Sequence, residues 1–323
     1  MQRVLFVTPH LSFGGAERVL TMLATALGTA GYGVDVLSVT RGRKPDCFDE
    51  WIAETRACVT RVAPGDVAAV LAEWPLSALR TVCFLGWSPA IRLAPRLMAR
   101  RPGLRMVGFA FNPVEAVDDL TAVQAHLAVT VAESIQAADA LGPGARVVVV
   151  PSGLDPAQVP ERRTGAEGPK LRVGFIGRMD ASKNVRTVVR TAALLPSDRF
   201  GFHLFGDGPL RRRARLAAWL LCPRHDLRWY GRVSDAALAE GFAKLDVLMV
   251  PSLVDGRPLV ISEAQLRGVV VLASRTGAIP DLVQDGETGL LCAPGDTGEF
   301  AWALRRLAED PSLARRIVAN ART

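Results

Sequence analysis

The chain has 323 residues, of which 49% are apolar and 22% charged, and carries a net charge of +7. At roughly 150 residues per domain this length points to two domains, and so large an apolar fraction excludes a disordered chain. No apolar run approaches the ~20 residues of a membrane span, and the opening MQRVLFVTPH lacks the cleavage pattern of a signal peptide, so the expectation is a protein kept in the cytoplasm.

Short apolar runs alternate with helical patterns along the first half. The runs Val4–Thr8, Val34–Val39, Val82–Leu85, Met106–Phe111, Val129–Ala132 and Val147–Val150 read as strands. Ala16–Leu27, Val67–Leu71 and Ile91–Arg100 read as helices between them. Residues 151–169 hold four prolines, three glycines and a run of charges, which is linker composition. The alternation then restarts with strands Leu171–Ile176, Gly201–Phe205, Leu227–Tyr230, Val247–Val250 and Val269–Ala273. Helices are expected near Asn184–Leu195, Pro209–Leu221, Ala236–Lys244, Leu259–Arg267 and Thr297–Ala308. Continuous apolar strands separated by helices form parallel sheets covered on both faces. The fold class is therefore α/β: two doubly wound, Rossmann-like parallel-sheet domains, residues 1–150 and 170–323, facing across a cleft. Ligands of such sheets bind where the strands end at their carboxyl termini, so chemistry is sought on the loops after strands.

The five cysteines (Cys47, Cys58, Cys83, Cys222 and Cys292) are scattered, odd in number and free of C-x-x-C, which favours reduced, mostly buried thiols. Arginine outnumbers lysine 35 to 4. Two arginine clusters stand out, Arg211–Arg213 with Arg215, and Arg92, Arg96, Arg100, Arg101 and Arg105. Each reads either as a solvated helix face or as a patch for phosphate or anionic lipid headgroups.

Three loops carry chemistry, and a fourth between them reads as a turn. Gly14-Gly15-Ala16-Glu17-Arg18 follows the first strand and enters a helix, whose N-terminal N–H groups attract anions. Gly177-Arg178-Met179-Asp180-Ala181-Ser182-Lys183-Asn184 sets a guanidinium and an ammonium on one loop, a pairing suited to a diphosphate, with Ser182 or Asn184 as the helix cap. Only 4 of 39 basic residues are lysine, so Lys183 is a pointed choice. Phe205-Gly206-Asp207-Gly208-Pro209 is sufficiently explained as a tight turn into a helix. Pro251-Ser252 leads to Asp255 in a loop and to Glu263 eight residues later on a helix. Two carboxylates so spaced suit two hydroxyl-bearing rings, with a diphosphate between them at the helix end beside Gly256, Leu259 and Val260. Glu263 is flanked by apolar residues, and a buried glutamate needs a partner. The stretches from Gly277 to Val283 and Asp285 to Leu290 read as turns. No D-x-D and no G-x-G-x-x-G occurs, so neither the usual metal pair nor a dinucleotide fingerprint is present.

In this order the motifs resemble the retaining glycosyltransferases of family 4. The matching residues are Gly14-Gly15 with Glu17-Arg18, Gly177-Arg178 with Lys183, Gly206-Asp207-Gly208-Pro209, Pro251-Ser252, Asp255 to Glu263, and Gly286 to Leu290. The resemblance implies a GT-B fold with an acceptor-side first domain and a nucleotide-sugar-binding second domain. It implies that Arg178 and Lys183 hold the donor diphosphate, Glu263 the ribose and Asp255 the transferred hexose, while Gly14 and Gly15 approach the donor from the first domain. The expected chemistry is retaining hexosyl transfer from a nucleoside-diphosphate sugar to a glycan or lipid-linked acceptor, with Arg178, Lys183 and Asp255 as its catalytic groups. No metal, cofactor or nucleic acid is expected, and peripheral contact with an anionic membrane is compatible with the arginines. A non-catalytic nucleotide-sugar binder or an epimerase-like member of the same fold is the alternative. The sequence departs from the family pattern at Asp255, usually glutamate, and at Arg257, Gln265 and Val270. Asn112 stands near the place of a common histidine, and the crossing C-terminal helix is expected to be short or absent.

Overall fold

The computed structural model describes residues 2–8, 11, 15–39, 55, 57–85, 92–111, 123–154, 159 and 170–322. His10, Gly14, Asn112 and most of the 151–169 segment lie outside them. The chain divides into two compact units, Met1–Ser152 and Gly153–Thr323.

In the first unit, seven strands form a parallel sheet: β1 (Arg3–Thr8), β2 (Gly33–Val39), β3 (Cys58–Val62), β4 (Leu79–Leu85), β5 (Arg105–Ala110), β6 (Val129–Ala132) and β7 (Val147–Val149). Their order is β3-β2-β1-β4-β5-β6-β7. Helices α1 (Gly15–Thr29), α2 (Val67–Glu73), α3 (Ala94–Arg100) and α4 (Ile135–Ala140) lie between them in sequence. In β1, Leu5 and Val7 belong to one apolar core, and Val4 and Phe6 to another. Successive residues of a strand point to opposite faces, so this alternation means the sheet is covered on both sides.

The second unit repeats the plan with β8 (Leu171–Ile176), β9 (Phe200–Phe205), β10 (Asp226–Gly231), β11 (Val247–Val250), β12 (Val270–Ser274) and β13 (Leu290–Cys292). The parallel order is β10-β9-β8-β11-β12-β13. Its helices are α5 (Val185–Ala193), α6 (Arg211–Leu221), α7 (Asp235–Ala243), α8 (Leu259–Arg267), α9 (Thr297–Glu309) and α10 (Pro311–Ala321). Val247 and Met249 enter one core while Leu248 and Val250 enter the other.

Both sheets reverse direction in the middle. β1 lies between β2 and β4, and β8 between β9 and β11, so successive crossovers leave in opposite senses and open a crevice at the carboxyl ends of these strands.

The elements missing from the sequence reading are β3, β13, α4 and α10. β3 and β13 are sheet edges, and only one residue of β3, Val62, is buried. β3 therefore lacks a continuous apolar run, and β13 has only three residues, too few to stand out from the turns beside it. α4 has six residues, and α10 follows α9 after one residue, Asp310, which closes one helix and caps the next. Of the four described cysteines, Cys83, Cys222 and Cys292 are buried and Cys58 is exposed. Burial pushes the Cys83 and Cys292 thiols up to about 12.

Candidate functional site

The loops that follow β8 and β11 flank the point where the second sheet reverses. Across it, Lys183 Nζ lies 2.6 Å from Asp255 Oδ2. The same carboxylate oxygen accepts a 2.8 Å hydrogen bond from the Ser252 hydroxyl. Asp255 is buried, whereas Lys183 keeps 27% of its side-chain surface open. The two loops also join through their backbones, with the Leu253 N–H donating to the Ser182 carbonyl at 2.7 Å.

Asp180 organises the lysine loop, a role that sequence reading missed. Its Oδ1 accepts from the Ser182 hydroxyl at 2.7 Å and from the Lys183 N–H at 3.1 Å. Its Oδ2 lies 2.9 Å from Arg178 Nε. Burial pushes the Asp180 carboxyl up. These hydrogen bonds and the charges of Arg178 and Lys183 outweigh burial and hold it below the usual carboxylate range. The signal was available: an aspartate bonding its own backbone two or three residues on is a common turn device.

Neighbouring loops fix this pair. The Thr276 hydroxyl donates to the Leu253 carbonyl at 3.0 Å, and the Ala278 N–H to the Gly256 carbonyl at 3.1 Å. Between them Gly277 has φ +53°, and a Cβ there would fall 1.7 Å from the Asp255 carbonyl oxygen. On the other side Gly206 has φ +122°, and a Cβ would fall 1.9 Å from the Gly177 carbonyl oxygen. The Met179 N–H donates to the Asp207 carbonyl at 2.9 Å. The Gly206–Pro209 turn thus locks the lysine loop.

The helix ends at this crevice are bare. α5, α6 and α8, which follow β8, β9 and β11, have no side-chain cap, and none has an acid in its first turn. Elsewhere in the unit, Ser234 caps α7, Asp296 caps α9 and Asp310 caps α10. Neither residue expected to cap α5 does so. Ser182 bonds Asp180, and Asn184, at φ 51°, donates to Thr187 Oγ1 at 2.7 Å. Unbonded N–H groups and the helix dipole make such ends receptive to anions.

The remaining expected residues are distributed as follows. Arg178 is exposed and held by Asp180. Gly256 lies in the loop that enters α8, and Leu259 and Val260 form the first turn of that helix. Glu263 is buried in α8, where Arg267 Nη1 lies 3.9 Å from its Oε2 and donates to its carbonyl at 3.3 Å. The partner that a buried glutamate requires therefore comes from the next helical turn. The E-x-x-x-R spacing carried that signal. The Arg267 guanidinium also sits 4.6 Å above the Phe242 ring. In the first unit, Gly15 opens α1, and a Cβ added there would meet no atom within 4 Å.

The arginine cluster between Arg92 and Arg105 is split. Arg100 donates to the Leu71 carbonyl at 2.9 Å, and Arg101 donates to the Leu79 carbonyl. These two guanidiniums fasten α3 to its surroundings; Arg92, Arg96, Arg100 and Arg105 are all exposed. Among the described residues no group of three or more His, Cys, Asp or Glu side chains is placed to hold a metal ion. Nor is any described helix long and apolar enough to cross a membrane.

Two Rossmann-like units, each with a central reversal, define a GT-B type α/β protein. The same two-unit fold is seen in Anabaena HepE, crystallised with UDP and glucose, with a TM-score of 0.84 at 18% identity over 100% of this chain and 94% of that one. The model of the family Glycosyl transferases group 1 matches residues 160–323, and the chain belongs to that family. Among curated relatives, a D-inositol 3-phosphate glycosyltransferase of Stackebrandtia nassauensis is 34% identical over 199 residues, covering 54% of this chain and 44% of the relative. The chain thus aligns with less than half the length of that relative. A glycogen synthase of Mycobacterium tuberculosis is 24% identical over 99% of this chain and 89% of its own length.

Proposed function

We propose that this protein is a retaining, metal-independent glycosyltransferase of family 4. In this reading it moves a hexose-type sugar from a nucleoside-diphosphate sugar to a glycan or lipid-linked acceptor at the cytoplasmic side. The observation that carries the reading is the Lys183–Asp255–Ser252 cluster beside the bare end of α8, at the reversal of the second sheet. A departing nucleoside diphosphate gathers charge on its bridging oxygen, and fixed cations and dipoles stabilise that charge best when they are already in position. Lys183 and the N–H groups of Leu259 and Val260 supply them, with Arg178 at the rim. Asp255 and Gly256 hold hexose hydroxyls, and Glu263 the ribose.

Retention without a protein nucleophile fits the state of Asp255. Its Oδ2 is already engaged by Lys183 and Ser252, which leaves it poorly suited to attack an anomeric carbon. In front-side transfer the bond between the anomeric carbon and the bridging phosphate oxygen breaks with its electron pair leaving on that oxygen, the bond to the acceptor oxygen forms on the same face, and the acceptor proton passes to the leaving phosphate. The absence of D-x-D from the sequence supports the metal-free reading.

The test is release of UDP from UDP-glucose and related donors in the presence of acceptor and of EDTA. Lys183→Ala is expected to lower kcat by roughly 10²–10³, the scale for one preorganised donor. A kcat near wild type at saturating donor, or activity abolished by EDTA and restored by a divalent ion, overturns the mechanism. Binding of UDP-sugars without any transfer would leave only a binding role.

A further inference from the structure

α6 is built inside out. Its core-facing stripe consists of Ala214 and Ala218, followed by Cys222, while its largest apolar side chains face solvent. Leu216 is 59% exposed, Trp219 70% and Leu220 62%. At 100° per residue, Leu216 lies opposite Ala214 and Ala218, with Trp219 and Leu220 one turn on along the same outer face. One turn back on that face are Arg212 and Arg213, both exposed. The helix carries four arginines and no acid.

The neighbouring helix continues the pattern. α5 packs between α6 and α9 on the sheet. Its exposed face is Arg186 and Arg190, with Leu194 just beyond it 48% exposed. On α9, Trp302 is 60% exposed, with the Arg306 guanidinium 5.5 Å from its ring centre. A soluble surface seldom gathers so much apolar area without a partner.

We infer that the outer face of α6, with Arg186 and Arg190 of α5 beside it, docks the protein on an anionic lipid surface. Charge decides among occupants. A contact between two copies along this face would bury the Arg212 and Arg213 guanidiniums against a helix that has no acid to pair with them. An anionic bilayer answers both halves of the face, since headgroups take the guanidiniums while Leu216, Trp219 and Leu220 enter the headgroup–acyl boundary. Tryptophan is suited to that depth, with an apolar body and a polar N–H. The inference does not rest on the transfer chemistry, because none of these side chains belongs to the Lys183–Asp255 cluster.

The experiment is flotation of the purified chain with vesicles of phosphatidylcholine alone and of phosphatidylcholine mixed with phosphatidylglycerol. Wild type is expected to float with the mixed vesicles only. Trp219→Ser with Leu220→Ser, and separately Arg212→Gln with Arg213→Gln, should each weaken that binding by roughly tenfold or more. Both pairs are exposed, so neither should unfold the chain, and donor binding measured on the Trp219→Ser, Leu220→Ser variant should be unchanged. Absence of wild-type flotation, or binding that survives both double variants, overturns the proposal. So does a wild-type dimer in light scattering that Trp219→Ser converts to monomer, since that makes the face a protein interface.

Discussion

Lys183 and Asp255 are 72 residues apart in sequence, yet they share a 2.6 Å contact because the strands before their loops are neighbours in the sheet. Their geometry depends on Gly277 as much as on themselves. At φ +53° a Cβ is strained, and here it would overlap the Asp255 backbone. Gly277→Ala is expected to cost about 1–3 kcal/mol from the backbone conformation, with more from the overlap, and to reduce donor affinity by moving the Asp255 loop. Urea unfolding and a donor titration measure the two effects. An alanine variant with wild-type stability and affinity would mean that this loop does not position Asp255.

Among the elements, the β9–β10 edge carries a pH-sensitive group. His203 is buried on β9, its Nδ1 2.9 Å from the Tyr230 hydroxyl on β10, and Tyr230 stacks on Phe205 at 4.4 Å. Burial pulls the His203 pKa below its ordinary 6.5. Arg228, Arg172 and Lys244 lower it further, while Asp226 opposes them. A depressed folded pKa means that the unfolded chain binds more protons in the window just below 6.5. The contribution of His203 is therefore complete above that value and is lost as the pH falls toward the lower folded pKa. Stability measured by denaturant should drop from pH 7 to pH 5.5, and His203→Gln should flatten that part of the profile. An unchanged slope in the variant would assign the drop to other groups. The same strands show what patterning conveys. The apolar runs of β8, β9, β11 and β12 were legible, whereas the edge strands β3 and β13 were not.

For the whole molecule, the proposed division of labour between the units makes a measurable claim. The cluster at the reversal of the second sheet lies within one unit, so UDP alone should protect backbone amides there. Hydrogen exchange with and without UDP is expected to slow in residues 177–184 and 252–263, and the melting temperature should rise with ligand concentration. Protection confined to other segments would mean that the diphosphate does not sit at this crevice. The net charge of +7 adds a general attraction to anions, which high salt screens, so the exchange pattern should be read at 0.15 M salt or above.

The sequence by itself determined the α/β class, the repeated pattern of two sheets, and the loops on which chemistry was to be sought. Hydrophobic periodicity and turn residues are local properties, and strand-end loops follow from them. Only the tertiary structure decided which side chains meet. It joined Lys183 to Asp255 and gave Glu263 its partner in Arg267. It turned Arg100 and Arg101 to carbonyls and faced the tryptophan of α6 outward. Such pairings depend on strand order and on helix rotation about its own axis. Both are settled by the packing of the whole core, not by any window of the chain.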